Sequence, residues 1–527
     1  MHLFLVGPPG IGKSTVAPLL AGMLGAAAID LDTDIERRAG KPAARIIRDD
    51  GMPRFRSLES EALERLTPTH AIIVVATGGG APLEESNRRR MAELGPRVGL
   101  TGSVATVARG LAETMATRGH LDLPPREHAA LVLRERRDAY ADVEATFAID
   151  RIPPVDVARA IAAWLVAGRG IRLDVAAARP YPILIRAGLL EHIGMHLADL
   201  GWAGRAVIVG DTLTARRHAP AVAASCRLAG ITTTTIAVAR GERSKSVGGL
   251  ERVWRALSRA GIGRDGALIA LGGGTVGDLA GFAAATYLRG IRYAQVPTTL
   301  LAMVDSSIGG KTGIDLAAGK NLAGAFWAPD AVLADPAVLA ALPRRQRASG
   351  LAEVVKSAFL ADRHAVAQVE RSVLRVLEGD LGPTVGAIAL AASLKSRVVG
   401  RDERESGSRE LLNFGHTFGH AYEAASGYRV THGEAVSIGM VFATALGEDL
   451  DLVPAALRER LERILVAAGL PVRSRIPAGA MRYLAADKKV RAGKVRWILP
   501  RAIGRFSEVT DVAHSSLAVA ARAVEGR

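Results

Sequence analysis

A chain of 527 residues is too long for one hydrophobic core, so two or three domains are expected. Hydrophobic residues at 49% and charged residues at 23% exclude a disordered chain, and the single cysteine, Cys226, excludes an internal disulfide framework and suits a reducing cytoplasm. The net charge of +15 does not mark a nucleic-acid binder: residues 1–170 hold 22 Lys and Arg against 21 acids and residues 171–527 hold 46 against 32, a dispersed excess without interleaved aromatics that anionic small substrates explain better.

The opening Met1-His-Leu-Phe-Leu-Val-Gly is short, lacks a basic flank and reads as a first strand rather than a signal peptide. No apolar run of about 18 residues follows, so no membrane span is expected. Strands at 3–6, 71–76 and 97–100 alternate with amphipathic stretches, which predicts helices over a parallel sheet. Between the first strand and its helix, Gly7-Pro-Pro-Gly-Ile-Gly-Lys-Ser-Thr matches a phosphate loop. The backbone of Gly10, Ile11, Gly12 and Thr15 would cradle phosphates, Lys13 would reach the outer ones, and Ser14 would hold Mg²⁺. Pro18 removes a donor inside that helix and is expected to bend it.

The run Asp30-Leu-Asp32-Thr-Asp34 is expected to return at a strand end beside the loop. One carboxylate would take Mg²⁺ through water and another would accept a proton from an attacking hydroxyl. Arg56 and the glycines Gly78-Gly79-Gly80 pair a cation with bare backbone, which suits a small carboxylate-bearing substrate. Taken singly, these are solvated aspartates and a glycine turn; their joint order argues against that.

A helix predicted over 155–167 ends at Gly168-Arg-Gly, and a strand begins near Ile171, so a boundary falls at 165–175 with no flexible tether. Strands at 206–209 and 267–271 continue an α/β pattern to about 330, and helical periodicity dominates from Pro336 to Ala468 before a mixed tail. The expected fold class is therefore α/β: a phosphate-loop kinase domain with a parallel sheet over 1–168, an α/β dinucleotide-binding domain over 172–330, and a mainly helical metal-binding domain over 331–527. The run Gly272-Gly273-Gly274-Thr275-Val276-Gly277-Asp278 turns from strand to helix, as a dinucleotide pyrophosphate requires. Asp211, Glu242 and Lys245 are candidates for ribose and adenine. Thr298, Thr299, Asp305, Lys311 and Lys320 follow among glycines, where apolar surroundings argue against the usual solvated lysine. Glu353, His416, His420 and His432 are metal candidates. A Glu with two His and an open position suits catalytic Zn²⁺, but spacing leaves open which two histidines ligate, and ordinary helix histidines are the bland alternative.

Residues 1–160 resemble shikimate kinase, on Gly7–Thr15, Asp32, Asp34, Arg56 and Gly78–Gly80. The resemblance implies ATP at Lys13 and Ser14, Mg²⁺ at Ser14 and Asp32, and Asp34 as base on the substrate hydroxyl. It places Arg56, Gly79 and Arg136 at the substrate and Arg118 on a lid over ATP. Two departures stand out: the lid reads Arg118-Gly-His-Leu where the family has Arg-Pro-Leu-Leu, and Arg136-Arg-Asp-Ala-Tyr140 replaces Arg-x-Pro-Leu-Tyr. Residues 175–500 resemble 3-dehydroquinate synthase, most closely from Gly272 to Phe326. That resemblance implies Glu353, His416 and His432 on Zn²⁺ or Co²⁺, with His420 in proton transfer. It puts NAD⁺ against Gly274–Asp278, Thr298, Thr299, Lys311 and Lys320. Asp305, Lys311, Lys320, Lys356, Lys395, Glu405, Arg409, Asn413 and Lys488 would surround the substrate. The His416–His432 interval is one residue shorter than in common members.

Together the resemblances imply a bifunctional cytoplasmic enzyme of aromatic amino acid biosynthesis acting on small molecules, with neither nucleic acid nor membrane as partner. The synthase half is a candidate for homodimer formation. Rival expectations are a gluconate-type small kinase for the first centre and a polyol dehydrogenase, with net NADH production, for the second. A nucleotide-binding stabiliser without catalysis is the non-enzymatic alternative, which the presence of Lys13, Asp32, Asp34 and Arg56 opposes. Channelling is not expected, because the implied reactions are not consecutive.

Overall fold

The computed structural model describes residues 1–118, 123–477, 479–485 and 495–526, the side chains of 114–118, 482, 483 and 485 excepted. The chain divides into two compact units, Met1–Leu165 and Val166–Arg527.

In the first unit, strands β1 (His2–Val6), β2 (Ala27–Asp30), β3 (Ile73–Ala76), β4 (Arg97–Thr101) and β5 (Ala145–Ala148) form a five-stranded parallel sheet in the order β2-β3-β1-β4-β5. β1 and β3 are buried along their whole length, as befits apolar central strands covered on both faces. Phe4, Val6, Ile35, Ile46, Phe55, Leu63, Val75 and Met91 join one core. The short β5 escaped the sequence reading because it carries no clear period of two, and β2 was expected only as the strand end at Asp30. Pro18 does not break its helix, which runs Lys13–Leu24 and closes on left-handed Gly25. Asp30 does end a strand, but Asp32 and Asp34 lie in the first turn of the helix Leu31–Ala39, whose N-terminus Asp30 caps by accepting from the Thr33 N–H. The helix expected over 155–167 is Pro154–Ala163, followed by a wider π turn over Trp164–Arg169.

The second unit carries β6 (Ile171–Val175), β7 (Tyr181–Ile185), β8 (Gly204–Asp211), β9 (Ile231–Val238), β10 (Ala267–Gly272), β11 (Arg292–Pro297), the hairpin β12 (Lys311–Leu316) and β13 (Gly319–Phe326), β14 (Val332–Ala334), and the hairpin β15 (Trp497–Ala502) and β16 (Arg505–Val509). Seven of these form one sheet, β6-β7-β14-β11-β10-β8-β9, parallel except at β6. Alternation along β8 and β10 buries both faces: Ile208 and Ile269 join one core, and Val207, Val209, Leu268 and Ala270 the other. Helices Arg344–Ala361, Arg363–Glu378, Leu381–Arg401, His416–Ala425, His432–Asp449 and Ala455–Ala467 make the helical half. A Cβ on Gly433 would stand 2.2 Å from the Ser349 carbonyl oxygen, so the bare glycine lets the start of its helix press onto Arg344–Ala361. Thr431 and Glu434 close a capping box at the same helix start. Among the described residues, no helix is long and apolar enough to cross a membrane.

Two candidate active sites

In the first unit, Gly7, Gly10 and Gly12 take φ of 153°, 76° and 91° to turn the chain from β1 into its helix. No side chain caps that helix, and a Cβ on Gly12 would meet nothing within 4 Å, so the loop amides face open space that fits a nucleotide's phosphates. The Lys13 ammonium donates to the Gly7 and Pro8 carbonyls at 2.8 and 2.9 Å. Ser14 and Thr15 are exposed at the same turn, and Asp32 is half-buried. Asp34 pairs with Arg37 and, at 2.8 Å, with Arg38. Burial opposes its charge, but the two arginines outweigh burial and hold its carboxyl below the usual range.

The glycines Gly78–Gly80 draw the remaining groups together. A Cβ on Gly80 would overlap the Arg56 guanidinium, and one on Gly78 would lie 2.7 Å from the Asp32 carboxylate. The Gly79 carbonyl accepts from Arg136 at 3.2 Å and from the Tyr140 hydroxyl at 2.6 Å. Sequence reasoning passed over Glu59, which is 1% exposed and pairs with Arg56. Burial pushes its carboxyl up against the pull of Arg56. Its position three residues after Arg56 on one helix face was the available signal.

In the second unit, the carboxyl ends of β10 and β11 open onto the glycine turn, whose helix Gly274–Thr286 begins without a side-chain cap. The Thr298 and Ser306 hydroxyl oxygens are buried there without hydrogen-bond partners. A Cβ on Gly273 would crowd Thr299 and one on Gly274 would crowd Ser306, so backbone is laid bare where a pyrophosphate would approach. Orphaned donors beside open helix amides fit a dinucleotide. Lys245 donates to Asp278 at 2.6 Å and also to Asn321. Burial raises the Asp278 carboxyl to about 6 despite Lys245. Asp211 caps the helix Thr212–Leu228, accepting from the Leu213 and Thr214 N–H groups. Glu242 lies 3.4 Å from Lys320.

Deeper in the helical half, Glu353, His416 and His432 bring one ligand atom each to within 4.8 Å of one another. Of the histidines that spacing left open, His416 and His432 therefore converge with Glu353. His420 is exposed beside them, its ring centroid 5.2 Å from that of His416. Glu353 is 1% exposed, and neither of its oxygens receives a well-directed hydrogen bond. A buried carboxylate facing two imidazoles fits a divalent cation of the zinc type. The His416 Nδ1 lies 3.2 Å from the Phe414 carbonyl oxygen, and the His432 Nδ1 lies 3.6 Å from a carboxylate oxygen of Glu423. Although burial opposes it, Glu353 and Glu423 together raise the His432 imidazolium to about 9, so a bound cation would displace that proton.

Around this trio, Lys356 pairs with Glu353, and Lys395 donates to Asp305 at 2.5 Å. Burial would raise the Asp305 carboxyl, but Lys395 and Lys356 outweigh it and hold it low. Burial pulls the Lys395 ammonium down in return. Lys311 pairs with Glu405, which also accepts from Asn413 at 3.1 Å. Arg409 donates to the Gly309 carbonyl at 3.2 Å. Glu405 takes a left-handed φ of 58°, and the Asp402 carboxylate ties down its loop by accepting from the Ser406, Gly407 and Arg409 N–H groups. Glu423 was missed by sequence reasoning, although it stands seven residues after His416 on the same helix face. Lys488 and the Arg118 side chain lie outside the described residues.

These arrangements define a class: a phosphate-loop kinase followed by a dinucleotide- and cation-handling unit of α/β and helical halves. Family models agree with that order, matching shikimate kinase over residues 9–165, the 3-dehydroquinate synthase N-terminal region over 235–349, and its C-terminal region over 350–490. A 3-dehydroquinate synthase of Nitrobacter winogradskyi is 47% identical over 65% of this chain and 93% of its own length, and one of Rhodopirellula baltica is 44% identical over 63% and 92%. Among solved structures, a 2-epi-5-epi-valiolone synthase from Streptomyces hygroscopicus with NAD⁺ and Zn²⁺ bound is 29% identical, with a TM-score of 0.61, over 65% of this chain and 96% of its own. The chain belongs to the 3-dehydroquinate synthase family and carries a shikimate kinase domain ahead of the synthase, a bifunctional shikimate-pathway enzyme with kinase and lyase activities.

Proposed function

We propose that the chain phosphorylates shikimate to shikimate 3-phosphate with ATP and Mg²⁺, and converts 3-deoxy-D-arabino-heptulosonate 7-phosphate to 3-dehydroquinate with release of phosphate. The kinase is assigned to 1–168, the NAD-binding domain to 172–330 and the metal and substrate domain to 331–527. The reactions take place in the cytoplasm on small molecules, and the synthase half is the candidate for pairing as a homodimer. One observation carries the synthase reading: Glu353, His416 and His432 converge beside the buried Lys356 and the Lys395–Asp305 pair.

In the kinase, Lys13 leaves its own loop carbonyls to meet the outer phosphates, while Ser14 and Asp32 hold Mg²⁺. Arg56 and Arg136 grip the substrate carboxylate across Gly79. Asp34 is ionised, and on turning from Arg37 and Arg38, which weaken it as a base, it orients the attacking hydroxyl and takes its proton.

In the synthase, the glycine turn Gly274–Asp278 with Thr298 and Thr299 would hold NAD⁺, which would supply a reversible hydride acceptor without net consumption. Glu353, His416 and His432 would hold a Zn²⁺ or Co²⁺, which would supply a Lewis acid for the substrate hydroxyls. Lys311, Lys320, Lys356 and Arg409 balance the phosphate and carboxylate, Asn413 orients a hydroxyl, and the Asp305–Lys395 pair fixes the floor of the pocket. His420, beside the trio, carries the proton to the leaving phosphate. Burial of Lys356, Lys395 and Arg409 strengthens the contacts that those three make.

The decisive experiment measures metal content, phosphate release from the heptulosonate phosphate and ATP-dependent shikimate phosphorylation on the full chain. Glu353→Ala should lose metal and phosphate release while phosphorylating shikimate at the wild-type rate. Asp34→Asn should do the converse, losing about 10²-fold or more of kinase rate. Net NADH accumulation with a polyol would favour the dehydrogenase reading, and a wild-type chain that phosphorylates no shikimate would defeat the kinase assignment.

A further inference from the structure

We infer that Glu423 is a positioning residue of the cation site, setting the His432 imidazole from behind and linking that ligand to Lys320. The inference rests on the cation reading above and adds to it a residue outside the set that the resemblance supplied.

The geometry is specific. Glu423 lies on the helix His416–Ala425, and its two oxygens point two ways. One stands 3.6 Å from the His432 Nδ1, while the opposite ring nitrogen, Nε2, stands 3.3 Å from Glu353. The other accepts from the Lys320 ammonium at 3.0 Å, and that ammonium also sits 4.1 Å above the Tyr428 ring. A carboxylate at Nδ1 keeps a proton on that nitrogen and leaves the Nε2 lone pair for an ion, which fixes both tautomer and ring orientation. Behind His416 the Phe414 carbonyl oxygen lies 3.2 Å from Nδ1, a neutral group where His432 meets a carboxylate. Lys320, on β13 of the α/β half, reaches the same carboxylate that backs a ligand of the helical half. Movement of that lysine toward an anionic substrate is thereby felt at the ion.

A rival account gives Glu423 only a structural part, holding the hairpin β12–β13 to the helix through Lys320. Metal affinity separates the two. The full chain, stripped by chelator, is titrated with Zn²⁺ against a chromophoric competitor, and its Co²⁺ form is examined by visible absorption. Glu423→Gln keeps the shape and removes the charge. It should weaken Zn²⁺ binding by about 10- to 100-fold and shift the Co²⁺ bands, with the melting temperature of the stripped chain unchanged. Wild-type affinity and an unaltered Co²⁺ spectrum in Glu423→Gln would overturn the inference, as would a lower melting temperature with affinity intact. If the wild-type chain itself takes up no ion, the cation reading falls, and the inference falls with it.

Discussion

Asp278 and Lys245 show how one buried pair sets a pH window. The Asp278 carboxyl is raised by burial to about 6, above its unfolded value of 3.8, so the neutral form is the one the fold favours. Stability from that preference is complete below about pH 4 and is lost as pH rises through about 6. Asp278→Asn, which is neutral throughout, should therefore gain melting temperature relative to wild type between pH 4.5 and 8. Parallel pH profiles for the two proteins would count against the assignment. Residues such as Asp278 were legible because the glycine turn beside them has a fixed local grammar. Glu423 and Glu59 were not, because their significance lies in partners remote in sequence or in burial that a lone helix glutamate does not announce. The ligand pair shows the same limit. His416 and His420, four apart, look like the natural couple, yet it is His432, from the next helix, that joins His416 and Glu353. Only the resemblance, not the spacing, pointed there.

Helices and hairpins deliver those side chains, and the helix His432–Asp449 does so through a glycine. A Cβ on Gly433 would stand 2.2 Å from the Ser349 carbonyl oxygen and 2.4 Å from its Cα, and backbone atoms cannot swing aside. Gly433→Ala should push the helix start outward, carry His432 away from Glu353, and cost about 1–3 kcal/mol by overpacking. Metal retained per mole of folded protein, read with the denaturation midpoint, checks this; unchanged retention would refute it. The long helices were legible from their period. The hairpin β12–β13 was not, since glycines and lysines obscure its alternation: Lys311–Leu316 buries Thr312, Gly313 and Ile314 in succession, against a partner strand that is largely exposed.

The whole molecule carries two units with separate hydrophobic cores, so its unfolding should not be a single transition. Two transitions are expected in calorimetry, and chelator should lower only the one that coincides with loss of phosphate release, because a ligand stabilises the unit that binds it. A single transition displaced as a whole by chelator would contradict that independence. The boundary near Ile171 could be read from Gly168-Arg-Gly and the new strand, whereas the seven-strand order of the second sheet, set by pairings far apart in the chain, could not. Within that unit, Lys395, Asp305, Lys356 and Glu353 alternate in sign, with Lys395, Lys356 and Glu353 buried and Asp305 half-buried. Deleting either member of the buried Glu353–Lys356 pair leaves a naked charge worth about 3–5 kcal/mol of destabilisation. Descendants of this sequence that drift toward another chemistry therefore have to exchange these two residues together, so the pair acts as a brake on divergence long before any particular substrate does.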